Sequence, residues 1–180
     1  KRMENYEKGG DELRGDDGPQ GVSEIDDQNP LYDAIMDAAE AAGHPRNPDY
    51  NGTDQEGMVR TQASIRNGRR MSTAECYLKP VRHRQNLTTV TEAHTNHLIL
   101  EGKRCVGVTY ERGGQIHEAR ARREVILSAG AIGSPHILEL SGIGRPDLLK
   151  THGIEVLHEM DAVGEHLRDH IIARMQWKLS

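Results

Sequence analysis

The sequence predicts a mixed α/β fold, and three stretches carry that expectation. The first is Arg123–Gly144, REVILSAGAIGSPHILELSGIG. There an apolar run, Val125-Ile126-Leu127, gives way to small residues and then to a second apolar segment, Ile137, Leu138 and Leu140. So short a run reads as a buried strand over 124–128, and the order reads as strand, tight turn, helix. The second is the alternating region from Leu98 to Arg123, punctuated by Gly102 and Gly113-Gly114. It reads as a three-strand meander. The third is a capped, periodic segment from Asn29 to Gly43, which reads as an amphipathic helix.

A chain of 180 residues suffices for one ordinary domain with a real core. With 28% charged and 35% hydrophobic residues it is rather polar. A net charge of −5 gives no basic footprint for nucleic acid. No run approaches the ~18 apolar residues of a membrane helix, and no secretory signal is visible. The first residue is Lys1 and the opening is polar, which reads as a chain beginning in mid-protein. Cys76 and Cys105 lack metal-like spacing and read as free thiols of a reducing, cytoplasmic compartment. Phe is absent and Trp177 is the single Trp, so aromatic stacking does not dominate the core.

In chain order, residues 1–28 hold Gly9-Gly10, Gly15 and Asp17-Gly18-Pro19 and read as a surface segment needing partner structure for order. Asn29 caps the next helix, Pro30 fits its first turn, and Asp33 and Asp37 suit its dipole. Leu31, Ile35, Ala38, Ala39 and Ala42 form its apolar stripe, which reads as packing. A loop covers 44–57, and Met58–Ile65 partly alternates as a strand. Asn67-Gly68 signals a hairpin crowded by Arg66, Arg69 and Arg70, read as a solvated face. Ser72-Thr73-Ala74 caps a short helix that Pro80 closes. Leu87–Thr91 is β-branched and extended. The meander's return strand runs over 115–123, with Ile116, Ala119 and Ala121 on one face. In the key stretch, Ser134 is the N-cap of a helix over 135–141, Pro135 its first residue, and Gly142 and Gly144 its stop. A short helix over 147–152, a strand over 153–157 and a strand over 171–180 complete the chain.

The small-residue turn at Ser128-Ala129-Gly130 lets a ligand approach the backbone, and helix N-termini favour anions. A bare turn explains the same residues. His166 and His170 stand four apart, but Glu165 precedes the pair, so the HExxH order of a zinc site fails and no metal is expected. Ser134 and Ser141 fit no GxSxG elbow, which leaves a hydrolase without support.

The pattern Gly130-Ala131-x-x-Ser134-Pro135-x-Ile137-Leu138-x-x-Ser141-Gly142-Ile143-Gly144 resembles the second signature of the glucose–methanol–choline (GMC) family of flavin oxidoreductases. Three other stretches are similar to the family: NYEKGGDELRGDDGP, which there lies over the flavin beside the substrate entrance; RRMSTAECYLKP, at a domain junction; and DAVGEHLRDH. The last departs from the family's GVGxNLQDH at His166 and Arg168. The resemblance implies an FAD-binding, Rossmann-like domain over 81–152, a lid and substrate-domain segment over 1–80, and a return toward the substrate domain over 153–180. It implies that Ser128, Ala129 and Gly130 lie against FAD and that backbone near Thr95 meets its adenine edge. It also implies hydride transfer from an alcohol CH–OH to the flavin. The pyrophosphate-binding GxGxxG and the catalytic His fall outside these residues, so the chain is expected to be a central fragment that works with missing N- and C-terminal parts and carries no catalytic residue itself. In choline-oxidising relatives, a Glu two residues after the Asp-His faces the trimethylammonium; here that position is Ile172. The competing class is a non-catalytic α/β binding module.

Overall fold

The computed structural model describes residues 1–25 and 28–176. They form two compact units, Lys1–Thr88 and Thr89–Ser180, taken separately below.

The first unit is built around a buried cation. Strands β1 (Glu4–Tyr6) and β2 (Gln20–Glu24) pair in parallel, and β3 (Gln62–Ala63) joins β2 antiparallel. Between β1 and β2 the chain loops through Arg14, only 3% exposed. Its guanidinium donates to both Glu4 carboxylate oxygens (2.5–3.1 Å), to both Asp49 oxygens (2.7 and 2.8 Å) and to Gln62 Oε1 (3.1 Å), and stands 3.9 Å from the Tyr6 ring centroid. Gln62 Nε2 donates in turn to Asp49 and to the Tyr6 hydroxyl. Every polar group of the knot is satisfied, as a buried ion needs. Arg14 thus ties residues 1–25 to Asp49 and Gln62, beyond that segment, and β2 finds its antiparallel partner β3 there as well. Gly18 serves close packing here, because a Cβ at that position would collide with the Met3–Glu4 backbone.

The knot sets the local charge chemistry. The Arg14 hydrogen bond holds the Glu4 carboxyl below its ordinary range, against the opposing effect of burial. Burial pushes Asp49 up, but the Asn51 backbone N–H, Gln62 and Arg14 together outweigh it and leave it lowered. Burial, then the hydrogen bond to Glu24, pushes the Tyr6 hydroxyl up to about 12. Both carboxylates are thus more acidic folded than unfolded. Their contribution is complete above the unfolded values of about 4 and is lost as pH falls through the lower folded values. Arg14→Met, which leaves two half-buried carboxylates without their cation, is expected to destabilise this unit by about 3 kcal/mol at neutral pH. Urea unfolding at pH 7 and pH 3 checks it: the gap between variant and parent should narrow at pH 3.

Helix α1 (Pro30–Ala41) starts as expected, with Asn29 Oδ1 accepting from Leu31 N. Its apolar stripe is not packed, and no residue of α1 is buried. Its acidic face is tied to the following loop instead, by Arg46 to Asp37 and Glu40 and by Arg60 to Asp33. The strand expected over 58–65 shrinks to β3 and to β4 (Ile65–Arg66), which makes a hairpin with β5 (Arg69–Arg70). Asn67 and Gly68 take φ of 50° and 69°, as a tight hairpin turn requires. Ala74–Leu78 is one turn of π-helix led by Ser72, whose hydroxyl accepts from Glu75 N; Pro80 lies within the 3-10 turn that follows.

The second unit holds the meander: β6 (His94–Glu101), β7 (Arg104–Arg112) and β8 (Gln115–Arg120), all antiparallel in that order. Leu87–Thr91 is not a strand. All of β8 is exposed. Its alternation puts Ile116 on the face opposite Ala119, which corrects the single-face reading. Residues 124–128 run on without a strand partner among the described residues, and Ile126 is 78% exposed. A buried-strand sequence forms a strand only where a neighbour supplies the ladder bonds.

Helix α2 (Gly130–Leu140) begins five residues before the expected 135, and this corrects three assignments. Ala129 is the N-cap, Ser134 lies inside, and Pro135 is the sixth helical residue. The small residues Gly130–Gly133 themselves form the first turn. Ser134 Oγ reaches back to accept from Ala129 N at 3.0 Å. Ser141 is the C-cap and Gly142, φ +78°, ends the helix. Gly144 belongs to β9 (Ile143–Gly144), which pairs in parallel with β10 (His158–Glu159). Helix α3 (Pro146–Thr151) matches expectation. The strand expected over 153–157 is displaced to β10. Residues 171–176 form no strand, and 177–180 lie outside the described residues. The core is Leu98, Ile137, Leu149 and Val163, with Thr109 and Ser141 as its polar members. No helix is long and apolar enough to cross a membrane among the described residues.

Candidate cofactor site

The turn Ser128-Ala129-Gly130 is exposed throughout. Gly130 has φ +85°, a conformation that L side chains rarely adopt, and a Cβ built on it meets nothing within 4 Å beyond its chain neighbours and its own helix backbone. The turn is therefore open to backbone approach and heads α2, whose first N–H groups lack intrahelical partners. An open glycine turn before a helix suits a dinucleotide, and the residues present fit one. Pro135 removes the donor that helix geometry would direct at the Ala131 carbonyl. Ala131, Ile132, Ser134, Pro135 and Leu138 then line a cavity of about 720 Å³ completed by Ala162–Glu165 and Leu167.

Between Glu165 and Leu167 of the far wall stands one of the departures noted in the sequence. His166 takes φ +57°, a left-handed conformation natural to Asn and tolerated by His. Within the same wall Glu139 reaches Gly164 so closely that a Cβ there would stand 2.5 Å from its Oε1. Glu165 is held by Arg145 at 2.9 Å.

Thr95 stands apart from this turn in sequence but in the same unit. It is half-buried on β6, pairs with Tyr110, and lies at a register shift between Thr95 and His97. β6 is an edge strand, so its outer backbone is not engaged by another strand among the described residues. Of the expected contacts, Ser128, Ala129 and Gly130 are brought together by the chain itself, and Thr95 is on the strand against which α2 packs. His166 and His170 form no metal set: no group of three or more His, Cys, Asp or Glu able to hold an ion occurs among the described residues.

Sequence reasoning missed two features. One is Arg14, where a lone Arg among turn residues carried no periodic signal. The other is Ser141. Its hydroxyl donates to Ile137 O at 2.5 Å and accepts from Leu98 N at 2.8 Å, so it joins the end of α2 to the outer edge of β6. Next to it, Gly142 O accepts from both Leu157 N and His158 N. A Cβ at Gly142 would collide with the Glu155 carbonyl. Ser-Gly in the signature is thus a junction between meander, helix and the segment leading into β10.

The chain resembles known proteins in both sequence and fold. The model of the GMC oxidoreductase family matches residues 1–172. An oxygen-dependent choline dehydrogenase of Chromohalobacter salexigens is 47% identical over 182 aligned positions, covering 99% of this chain and 32% of its own. One from Pseudomonas putida is 44% identical, with 98% and 32% covered. Among solved structures, pyridoxine 4-oxidase from Mesorbium loti superposes with a TM-score of 0.82 at 34% identity, over 89% of this chain and 32% of that one. Formate oxidase of Aspergillus oryzae gives 0.77 at 29% identity, over 88% and 29%. The chain thus spans about a third of the length of the relatives it matches. With the signature intact around an open glycine turn and the family's model matching from Lys1 to Ile172, the chain belongs to the GMC oxidoreductase family.

Proposed function

We propose that this chain is the central part of an FAD-dependent oxidoreductase that converts an alcohol CH–OH to C=O. The observation that carries the reading is the open Gly130 turn, set within a sequence that matches the family over residues 1–172. FAD, when bound, supplies the hydride acceptor. The chain's own residues hold and orient it. Ser128, Ala129 and Gly130 offer small side chains and backbone to the dinucleotide. The edge-strand backbone at Thr95 offers hydrogen bonds to the adenine. Residues 81–152 belong to the flavin domain, 1–80 to a lid and substrate segment, and 153–180 return toward the substrate domain. The choline dehydrogenase relatives support a small alcohol as substrate. Expression of the full-length parent, followed by its visible spectrum and alcohol-dependent bleaching, tests the proposal. A parent without flavin absorbance would overturn it.

The 180-residue chain by itself is expected to reduce no dye with any alcohol. It holds no GxGxxG for the pyrophosphate, and the family's catalytic base lies outside it. Dye reduction by the purified chain, well above a boiled control, would defeat this.

A further inference from the structure

We propose that Ser141 is a positioning residue for the cofactor, holding the flavin turn in place from the opposite end of its helix; this rests on the reading of Ser128–Gly130 as a flavin contact. Helix α2 is an asymmetric lever. Ile137 is its only buried residue, near the C-terminal end. At the other end Gly130 and Ala131 are exposed, and Ile132 is 76% exposed. The polar anchor is Ser141, 6% exposed, whose hydroxyl bonds Ile137 O and Leu98 N at once. Leu98 lies on the strand that carries Thr95, three residues away. One hydroxyl therefore couples the two expected flavin contacts, one on β6 and one at the head of α2.

The lever makes the coupling sensitive. Eleven helical residues rise about 16 Å, so a tilt of about 5° at the anchor moves the far turn by roughly 1.4 Å. Displacements of about 1 Å are enough to spoil a preorganised site. Replacing Ser141 by Ala removes both bonds and leaves the Leu98 N–H, on the outer edge of β6, without its acceptor.

The experiment uses the full-length parent with its flavin removed and restored. Ser141→Ala is expected to weaken FAD binding tenfold or more, measured at a temperature where the apoprotein is folded. It should also blur the vibronic structure of the bound-flavin spectrum. Ser141→Thr, which keeps a hydroxyl, is expected to stay within threefold of the parent in affinity and to keep the parent spectrum. Ser141→Ala with parent-like affinity and spectrum would overturn the proposal. If the Ala variant does not fold, Ser141→Cys, of similar volume with a weak hydrogen-bonding group, carries the same test; failure of the Cys apoprotein to fold would also overturn it, by making Ser141 a determinant of folding alone. Gly130→Val separates the two layers. If Gly130→Val loses flavin and Ser141→Ala keeps it, only the positioning role fails; if both keep it, the flavin reading of the turn fails.

Discussion

Gly130→Val in the full-length parent is expected to leave the purified protein with less than about a tenth of its normal flavin, a loss of some 1.4 kcal/mol or more in binding. Two effects act together. At φ +85° a β-branched residue is strained by about 1–3 kcal/mol whatever surrounds it. Apart from its chain neighbours and its own helix backbone, nothing in the protein lies within 4 Å of the added Cβ, so the remaining effect comes from whatever occupies that space when the cofactor is bound. Gly130→Ala shares most of the backbone strain with a smaller intrusion, and should retain more flavin than Val. The flavin-to-protein ratio, set beside the apoprotein melting temperature, separates strain from exclusion. A folded Val variant with a normal ratio would mean the turn does not touch the dinucleotide.

The second large effect concerns the substrate. The parent is expected to oxidise a neutral primary alcohol with a kcat/KM at least about tenfold above that for choline, even though its curated relatives include choline dehydrogenases. The family resemblance places a carboxylate opposite the trimethylammonium at the position held here by Ile172. A quaternary ammonium cannot be neutralised by losing a proton, so its burial needs an anion or an aromatic cage. Isoleucine supplies neither, and suits an uncharged alcohol. Ile172→Glu is the converse test and should shift the ratio toward choline. Steady-state kinetics on choline and on a neutral alcohol of similar size decide it; a clearly higher kcat/KM for choline in the parent would sink the idea.

What the sequence disclosed, and what it withheld, follows from the range of the forces involved. Helix α1, the Asn67-Gly68 and Gly113-Gly114 turns, the meander and α3 are set by local signals: a cap, a proline at N1, a left-handed pair, an alternation. Those were legible. The strand over 124–128 was misread because an apolar run signals burial but does not supply a partner, and no described strand pairs with it. The start of α2 was misplaced because Ser134-Pro135 is the textual mark of a helix start, while the helix already begins just after the left-handed Gly130. The flavin contacts at Ser128–Gly130 and Thr95 came from family likeness, and composition alone left a bare turn open. Arg14 and Ser141 stayed hidden for one reason. A polar side chain that serves as a junction between distant segments has no period and no spacing, and only the assembled contacts reveal it.

The Arg14 knot has a consequence for synthesis as well as for stability. Its cation lies 35 residues before Asp49 and 48 before Gln62, with Glu4 and Tyr6 upstream. As the chain leaves the ribosome, Arg14 meets Glu4 and Tyr6 first and then waits for both later partners. In that interval the parallel pairing of β1 with β2 has no buried charge network to hold it, and closing the longer loops costs entropy before any bond repays it. Strands β1 and β2 are thus secured only once Gln62 has emerged, and the segment between Arg14 and Gln62 is where a translational pause or a nascent-chain chaperone has the most to protect.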